Sequence, residues 1–356
     1  MSVIILITSV IKYVSCLLGI KYRVKNKNGQ YVGGPMYYIN KGTSSPRLAA
    51  LFAISLILSA ITVGNLIQVN SLTLPTINSS IPPILYGITI AIIVLLVTLG
   101  GMHWFADVVT KIVPFMATIY LGSCIYILIS NYNFIGPAFG LIFNSAFDIH
   151  KVSGGILGYS ILHLLSGMKV GFTRGIFATD IGLGLETIVH SSVQNNQHDS
   201  QFEIEQSTIS VLSPFMVMIV CIITGLVLIV TGVWNDSGLE STNMCFSAFN
   251  IGIPYSNIAG YIMLLVLFCF AFTTIVTWLF CASKAVEYLA PNNKTIMLTW
   301  KILFMLLLPI GSVTQVSMLW NMADITISIM LTLNIYAPIV LSKNIISDKL
   351  AVRSLD

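Results

Sequence analysis

Charge is what this sequence has least of. Only 8% of its 356 residues are Asp, Glu, Lys or Arg, against about 25% in an ordinary soluble domain. Thirteen acidic and 17 basic side chains are too few to solvate a chain of this length, which excludes a soluble globular protein. The basic residues form no long run interleaved with aromatics, so nucleic acid is excluded as a partner. Cysteine is also sparse. Cys16, Cys124, Cys221, Cys269 and Cys281 fall in apolar segments and read as small packing residues, while Cys245 stands alone in a polar stretch. With no CxxC and no Cys/His spacing, neither a disulfide framework nor a metal site beyond an alkali ion is expected. His103, His150, His163, His190 and His198 form no ligand pattern, and no GxSxG, HExxH, Walker or Rossmann pattern occurs in a suitable context. No catalytic residue is assigned, and the chain is not expected to be an enzyme. Lacking a nucleotide motif, a transporter of this size would draw on an ion gradient. The first 20 residues have no basic start and no A-x-A site, so a cleaved signal peptide is not expected.

What the chain has in abundance is apolar length. Hydrophobic residues make up 56% of it, and the mean hydropathy is +0.90. Only helices and closed barrels satisfy their backbone in hydrocarbon, and these runs are about 20 residues or longer rather than alternating ten-residue strands. Segments near 2–20, 48–74, 82–101, 105–130, 154–178, 210–233, 257–283, 295–315 and 320–342 predict nine transmembrane helices. Lys21, Arg23, Lys25, Lys27, Lys41 and Arg47 follow the first span, Lys284 and Lys294 the seventh, and Lys343, Lys349 and Arg353 the last. All three places lie on one side of the bilayer, and the opposite loops hold only Lys151. The positive-inside rule then places the N-terminal end outside and the C-terminus in the cytoplasm of a multi-pass membrane protein. An inverted-repeat transporter has an even helix count, so nine suggests that one is missing. The chain is apolar from its start and carries Lys12 close enough to the basic loop to snorkel, so its first segment reads as an interior helix whose predecessor is absent.

Several residues break the rules for lipid-facing helices. Trp104, Trp234, Trp300 and Trp320 lie at or near segment ends, where indoles anchor, but Trp278 lies well inside the seventh span. It either walls a small-molecule site or packs a helix interface. Thr273 and Thr274, about a turn away, either offer hydroxyl oxygens to sodium or bond back to their own helix. The fifth span is the most irregular. Five glycines, from Gly167 to Gly184, fall within 18 residues beside Lys169, Arg174, Asp180 and Glu186. A glycine-interrupted helix points to the binding site of a secondary transporter, because an unwound turn frees carbonyls for cations and N–H groups for carboxylates. The alternative is a helix end leaving the membrane near residue 177. In the second span Asn65, Gln68 and Asn70 either join helices or touch a polar substrate. Asp107 and Asp324, near span ends, mark the interface.

Gly33-Gly34-Pro35-Met36-Tyr37-Tyr38-Ile39 resembles the GGPxYYI signature of the alanine/glycine:cation symporters, the sodium:alanine symporter family. Further similarities follow in that family's order. They are Gly64-Asn65-Leu66-Ile67-Gln68-Val69-Asn70, Val113-Pro114-Phe115-Met116-Ala117 with Tyr120, Arg174-Gly175-Ile176-Phe177, Phe270-Ala271-Phe272-Thr273-Thr274-Ile275 with Trp278, and Leu319-Trp320-Asn321-Met322-Ala323-Asp324. The resemblance covers nearly the whole chain.

It implies a LeuT-type fold of inverted repeats in a single transporter domain over 1–356, N-terminally truncated so that the nine helices are core helices two to ten. It further implies sodium-coupled symport of a small neutral amino acid, alanine or glycine, by alternating access. Gln68, Asn65, Gly171, Gly175, Thr179 and Trp278 are the implied substrate-binding residues, and Thr273 and Thr274 the implied sodium ligands. Where the family reads Phe-Ser-Asn-Glu-Ala-Gly-x-Gly-Ser, this chain has Phe177-Ala178-Thr179-Asp180-Ile181-Gly182-Leu183-Gly184-Leu185. The Gly-Ser-Gly-Asn region of the family's broken first helix has no counterpart. An upstream segment or a second chain would supply it; otherwise the chain is a transport-inactive remnant or membrane scaffold.

Overall fold

The computed structural model describes residues 1–27, 29–76, 81–99, 101–147, 157–194, 200–254 and 256–353. His150, Lys151 and His198 lie outside the described residues, as do the side chains of His103, Trp104 and His163. In chain order the helices are α1 (Ser2–Lys21), α2 (Pro35–Gly42), α3 (Pro46–Ile61), α4 (Ile67–Thr73), α5 (Pro83–Leu99), α6 (Gly101–Ser130), α7 (Ile135–Phe147), α8 (Leu157–Thr179), α9 (Leu185–Ser191), α10 (Ser200–Val230), α11 (Thr242–Gly252), α12 (Ser256–Leu289), α13 (Lys294–Gly311) and α14 (Val316–Arg353). A two-stranded antiparallel hairpin, β1 (Val24–Lys25) and β2 (Tyr31–Val32), follows α1.

The nine apolar runs fall mainly on helix among the described residues. Among the described residues, seven helices are long and apolar enough to cross a membrane, and the run at Pro83–Thr98 is apolar but shorter. α8 is not one of the seven and carries Lys169 and Arg174 within it. The protein is an all-helical polytopic membrane protein, apart from the hairpin.

Sequence periodicity explains how α1 packs. Ile5, Ser9, Lys12 and Cys16 are buried at intervals of three and four, while Val3, Leu6, Ile7 and Val10 are exposed on the opposite face. The buried stripe meets α10, where Ser207 and Ser210 are also buried. Exposed aliphatic side chains on the far face suit lipid as their solvent. α12 runs through both large apolar clusters. Phe272, Ile275 and Leu279 join the larger one, and Ala259, Met263 and Val266 join a second built with Tyr120, Ile127, Val227 and Phe249. The polar stretch around Cys245 folds as α11, and this cysteine packs against the second cluster.

The basic loop after α1 is ordered rather than a free connection. Arg23 donates to the Val193 carbonyl at 3.2 Å and stacks 3.9 Å over the Tyr31 ring. The Gly33-Gly34-Pro35 run then turns the chain into α2. Gly34 has φ 119°, and a Cβ on Gly33 would meet Ser191 of α9 at 2.6 Å and the Gly19 carbonyl at 2.8 Å. Pro35 opens the helix, where a missing N–H leaves no bond unmade.

α3 and α4 form one helix interrupted by a π-turn at Thr62–Leu66. Asn65 Nδ2 donates to the Phe304 carbonyl at 2.6 Å, and Asn70 Nδ2 to the carbonyls of Gly311 and Thr314 at 3.1 and 2.8 Å. These amides join α3/α4 to α13, where Gly311 lets the backbones touch. A Cβ there would lie 2.6 Å from the Leu66 oxygen and 2.9 Å from its Cα.

Two substitutions test this packing by scanning fluorimetry of detergent-purified protein. Gly311→Ala is expected to destabilise by about 1–3 kcal/mol, since the obstacle is backbone and the helices must part. Gly122→Ala, with nothing within 4 Å of its Cβ position, is expected to show no loss. Asn334→Leu leaves the Tyr38 hydroxyl and the Gly182 carbonyl, both bonded to Asn334, without partners. It is expected to lower stability by about 1–3 kcal/mol.

Candidate functional site

The interruption expected within the fifth span falls later than the sequence suggested. α8 runs unbroken through Gly167, Gly171 and Gly175, and the chain unwinds only between Thr179 and Leu185. An isolated glycine weakens a helix by about 1 kcal/mol without forcing it open. At the actual break the backbone is left-handed at Asp180 (φ 52°), Gly182 (φ 77°) and Gly184 (φ 79°). Two of these three positions are glycine, which takes that conformation without a Cβ clash.

Side chains from distant elements satisfy the ends of the break. The Lys12 ammonium donates to the Thr179 carbonyl at 2.8 Å and to Ser213 Oγ at 3.0 Å, and lies 2.5 Å from Glu186 Oε1. Ser213 in turn donates to that same carboxylate oxygen at 2.5 Å. On the other side, Asn334 Nδ2 donates to the Gly182 carbonyl at 2.7 Å, and its Oδ1 accepts from the Tyr38 hydroxyl. The expectation that Lys12 snorkels toward the basic loop is therefore corrected. Its side chain is only 4% exposed and is drawn inward by a carboxylate, a carbonyl and a hydroxyl.

A cleft of about 260 Å³ opens beside the break. Asp180 and three residues of α9, Leu185, Glu186 and Val189, form one wall. Thr273, Thr274, Thr277 and Trp278 of α12 form the second, and Val109 and Val113 of α6 the third. Trp278 is fixed from behind, because its Cβ and ring press on Gly64 within the π-turn and leave no room for a side chain there. The cleft is thus apolar on the α6 side, aromatic at Trp278, and polar where the break and the threonines face it. A few convergent polar groups in a mostly apolar pocket are what a small-ligand site requires.

The residues implied by the resemblance divide into two groups. Trp278, Thr273 and Thr274 line the cleft. Thr273 also donates to the carbonyls of Cys269 and Phe270 at 2.9 and 3.1 Å, so its proton is held within its own helix. Gln68 and Asn65 are not in the lining. Gln68 Nε2 donates to the Val63 carbonyl at 3.1 Å, and the Asn65 amide is used against α13. Gly171 and Gly175 face Met1, whose nearest atoms lie 3.3 and 3.1 Å from their Cβ positions. Thr179 reaches the site through its carbonyl, since its hydroxyl donates to the Gly175 carbonyl at 2.7 Å.

Sequence reasoning missed Lys12, Ser213, Tyr38 and Asn334 as parts of the site, and noted Glu186 only as a charge. Lys12 carried a signal, since a lysine within an apolar run must find a partner or reach water. Asn334 carried a weaker one, as an amide inside the last apolar run. Asp324, read as an interface marker, pairs instead with Arg174 at 3.4 Å, and that guanidinium lies 3.7 Å over the Trp320 ring. Phe177 packs on the same indole at 4.8 Å between centroids.

Comparison with known proteins agrees with this arrangement. The family model described as the sodium:alanine symporter family matches residues 1–351. An uncharacterized transporter of Haemophilus influenzae is 34% identical over 340 residues, 95% of this chain and 72% of its own length. The sodium/alanine symporter AgcS of Methanococcus maripaludis is 31% identical over 353 residues, 97% of this chain and 74% of its own. A sodium/proton-dependent alanine carrier protein of Bacillus sp. strain PS3 is 30% identical over 293 residues, covering 78% and 63%. With a family match over residues 1–351, this protein belongs to the sodium:alanine symporter family.

Proposed function

We propose that this chain is a secondary symporter that carries a small neutral amino acid, alanine or glycine, with sodium across the cell inner membrane by alternating access. The observation that carries the reading is the cleft against the α8–α9 break, walled by Trp278 and by the Thr273, Thr274 and Thr277 hydroxyls. Its volume of about 260 Å³ suits a small zwitterion better than a bulky one. The indole face closes over the substrate's side chain, the unwound segment meets its charged ends, and Thr273 and Thr274 offer oxygens to the sodium ion. Exposed N–H and C=O groups at an unwound turn recognise both ends of an amino acid without any covalent step. The helices are arranged, in this reading, as core helices two to ten of a LeuT-type inverted repeat. The basic residues around the end of α1, around the α12–α13 connection and near the end of α14 support a cytoplasmic C-terminus.

A second reading, a membrane protein of the same family that no longer transports, is favoured by one observation. The Asn65 and Gln68 amides are committed to backbone carbonyls, so two implied substrate positions have other uses.

Uptake of radiolabelled alanine and glycine into proteoliposomes decides between the two, with an inward sodium gradient compared with an equal potassium gradient. Sodium-dependent accumulation is expected for the symporter and none for the inactive protein. Trp278→Ala is expected to abolish uptake at unchanged expression. Loss of both hydroxyls in Thr273→Ala/Thr274→Ala is expected to raise the half-maximal sodium concentration about tenfold, equivalent to about 1.4 kcal/mol. Unchanged uptake in both variants would remove the cleft from the transport path.

A further inference from the structure

A lysine ammonium has three N–H donors and no acceptor. Lys12 uses its three on three oxygens from three different elements: the Thr179 carbonyl at the end of α8, Glu186 Oε1 on α9 and Ser213 Oγ on α10. None of these is a neighbour of Lys12 in sequence, and the ammonium is buried among them. Converging carbonyl, carboxylate and hydroxyl oxygens form the ligand set of a hard cation. The second carboxylate oxygen, Glu186 Oε2, is buried without a hydrogen-bond partner. Asp180 lies close enough to act on the same ammonium, and both carboxylates belong to residues that line the cleft.

We infer that Lys12 is a tethered cation occupying an oxygen cage that would otherwise hold an alkali-metal ion, and that it thereby limits the cleft to a single mobile cation. Two carboxylates against one ammonium leave the site with one net negative charge. A zwitterionic substrate adds no net charge, so one monovalent ion completes the balance. Without the ammonium, the half-buried Glu186 carboxylate, with its Oε2 enclosed, would be left with no counter-ion, a state that proteins avoid by protonation or by recruiting a cation. The cage oxygens are already gathered around one point from α8, α9 and α10. The inference rests on the symport reading only for the identity of the mobile ion.

The test is therefore a binding count that does not require transport. Equilibrium binding of radioactive sodium is measured on purified, monodisperse full-length chain for the wild type, Lys12→Ala and Lys12→Ala/Glu186→Gln. Lys12→Ala is expected to bind one sodium ion per chain more than the wild type, and the double variant to return to the wild-type number. An unchanged count in Lys12→Ala would overturn the inference. Lys12→Gln, which keeps a donor for the Thr179 carbonyl but no charge, guards against loss of fold in the alanine variant. Its melting temperature is expected to rise more steeply with sodium than the wild type's, with N-methylglucamine as the control ion, and an equal slope would count against the inference. A wild type that binds no sodium and takes up no alanine would defeat the symport reading. The difference between variant and wild type would still decide the role of Lys12.

Discussion

A helix that stops in a packed interior leaves backbone groups at its end that other parts of the chain must satisfy. The organisation of this protein follows from meeting that constraint at the break between α8 and α9. The Thr179 carbonyl is taken by Lys12 from α1, and the Gly182 carbonyl by Asn334 from α14. Within the break, the Leu183 N–H closes onto the Asp180 carbonyl at 3.1 Å, and the Ile188 N–H onto the Gly184 carbonyl at 3.3 Å. Leaving any such group unpaired in hydrocarbon would cost several kcal/mol. The first and last described helices are therefore joined to the centre of the molecule by bonds to one short segment. The β-hairpin and α2 complete the enclosure through Gly33, Gly34 and Tyr38.

The sequence motifs make sense as pairs of facing surfaces. The Gly33–Tyr38 run packs against α9 and, through Tyr38, holds Asn334 in place. The Gly64–Asn70 run receives Trp278 on its glycine and α13 on its amides. Arg174 and Phe177 meet Trp320 and Asp324. Each is unremarkable as a string of residues, because half of its meaning lies on another helix.

Legibility from sequence followed the strength of the physical signal. The apolar runs located the long helices, since about 20 consecutive apolar residues have few other uses. The glycines and charges after residue 166 pointed to the right span, but not to the right turn within it. Only the backbone shows that Gly182 and Gly184, rather than Gly171 and Gly175, adopt a left-handed conformation. Trp278 was conspicuous because an indole deep inside a span needs a reason, and it does line the cleft. Gln68 and Asn65 were ambiguous between joining helices and touching substrate, and their amides bond to backbone carbonyls. The partnership of Lys12 with Glu186 spans 174 positions of sequence, and no periodicity or spacing rule could have joined them. α2, α9 and α11 were not anticipated, because helices this short are defined by their neighbours rather than by their own hydrophobic pattern.

The π-turn at Thr62–Leu66 has a consequence for how the α3/α4 helix is geared. On a regular α-helix, residues five apart differ by about 140° around the axis and cannot serve the same neighbour. Asn65 and Asn70 are five apart, yet both bond to carbonyls of α13. Asn65 lies inside the wider turn, where each residue advances by less than 100°, and Asn70 lies in the regular helix beyond it, so the angle between the two amides narrows toward α13. Before the turn the helix packs on α12 and α14, and beyond it the helix keeps α12 and adds α13. A one-residue insertion or deletion here would rotate everything beyond it by about 100°. The same change in a surface loop would leave these contacts intact. In this region the spacing of residues along the chain is as much a structural element as their identity.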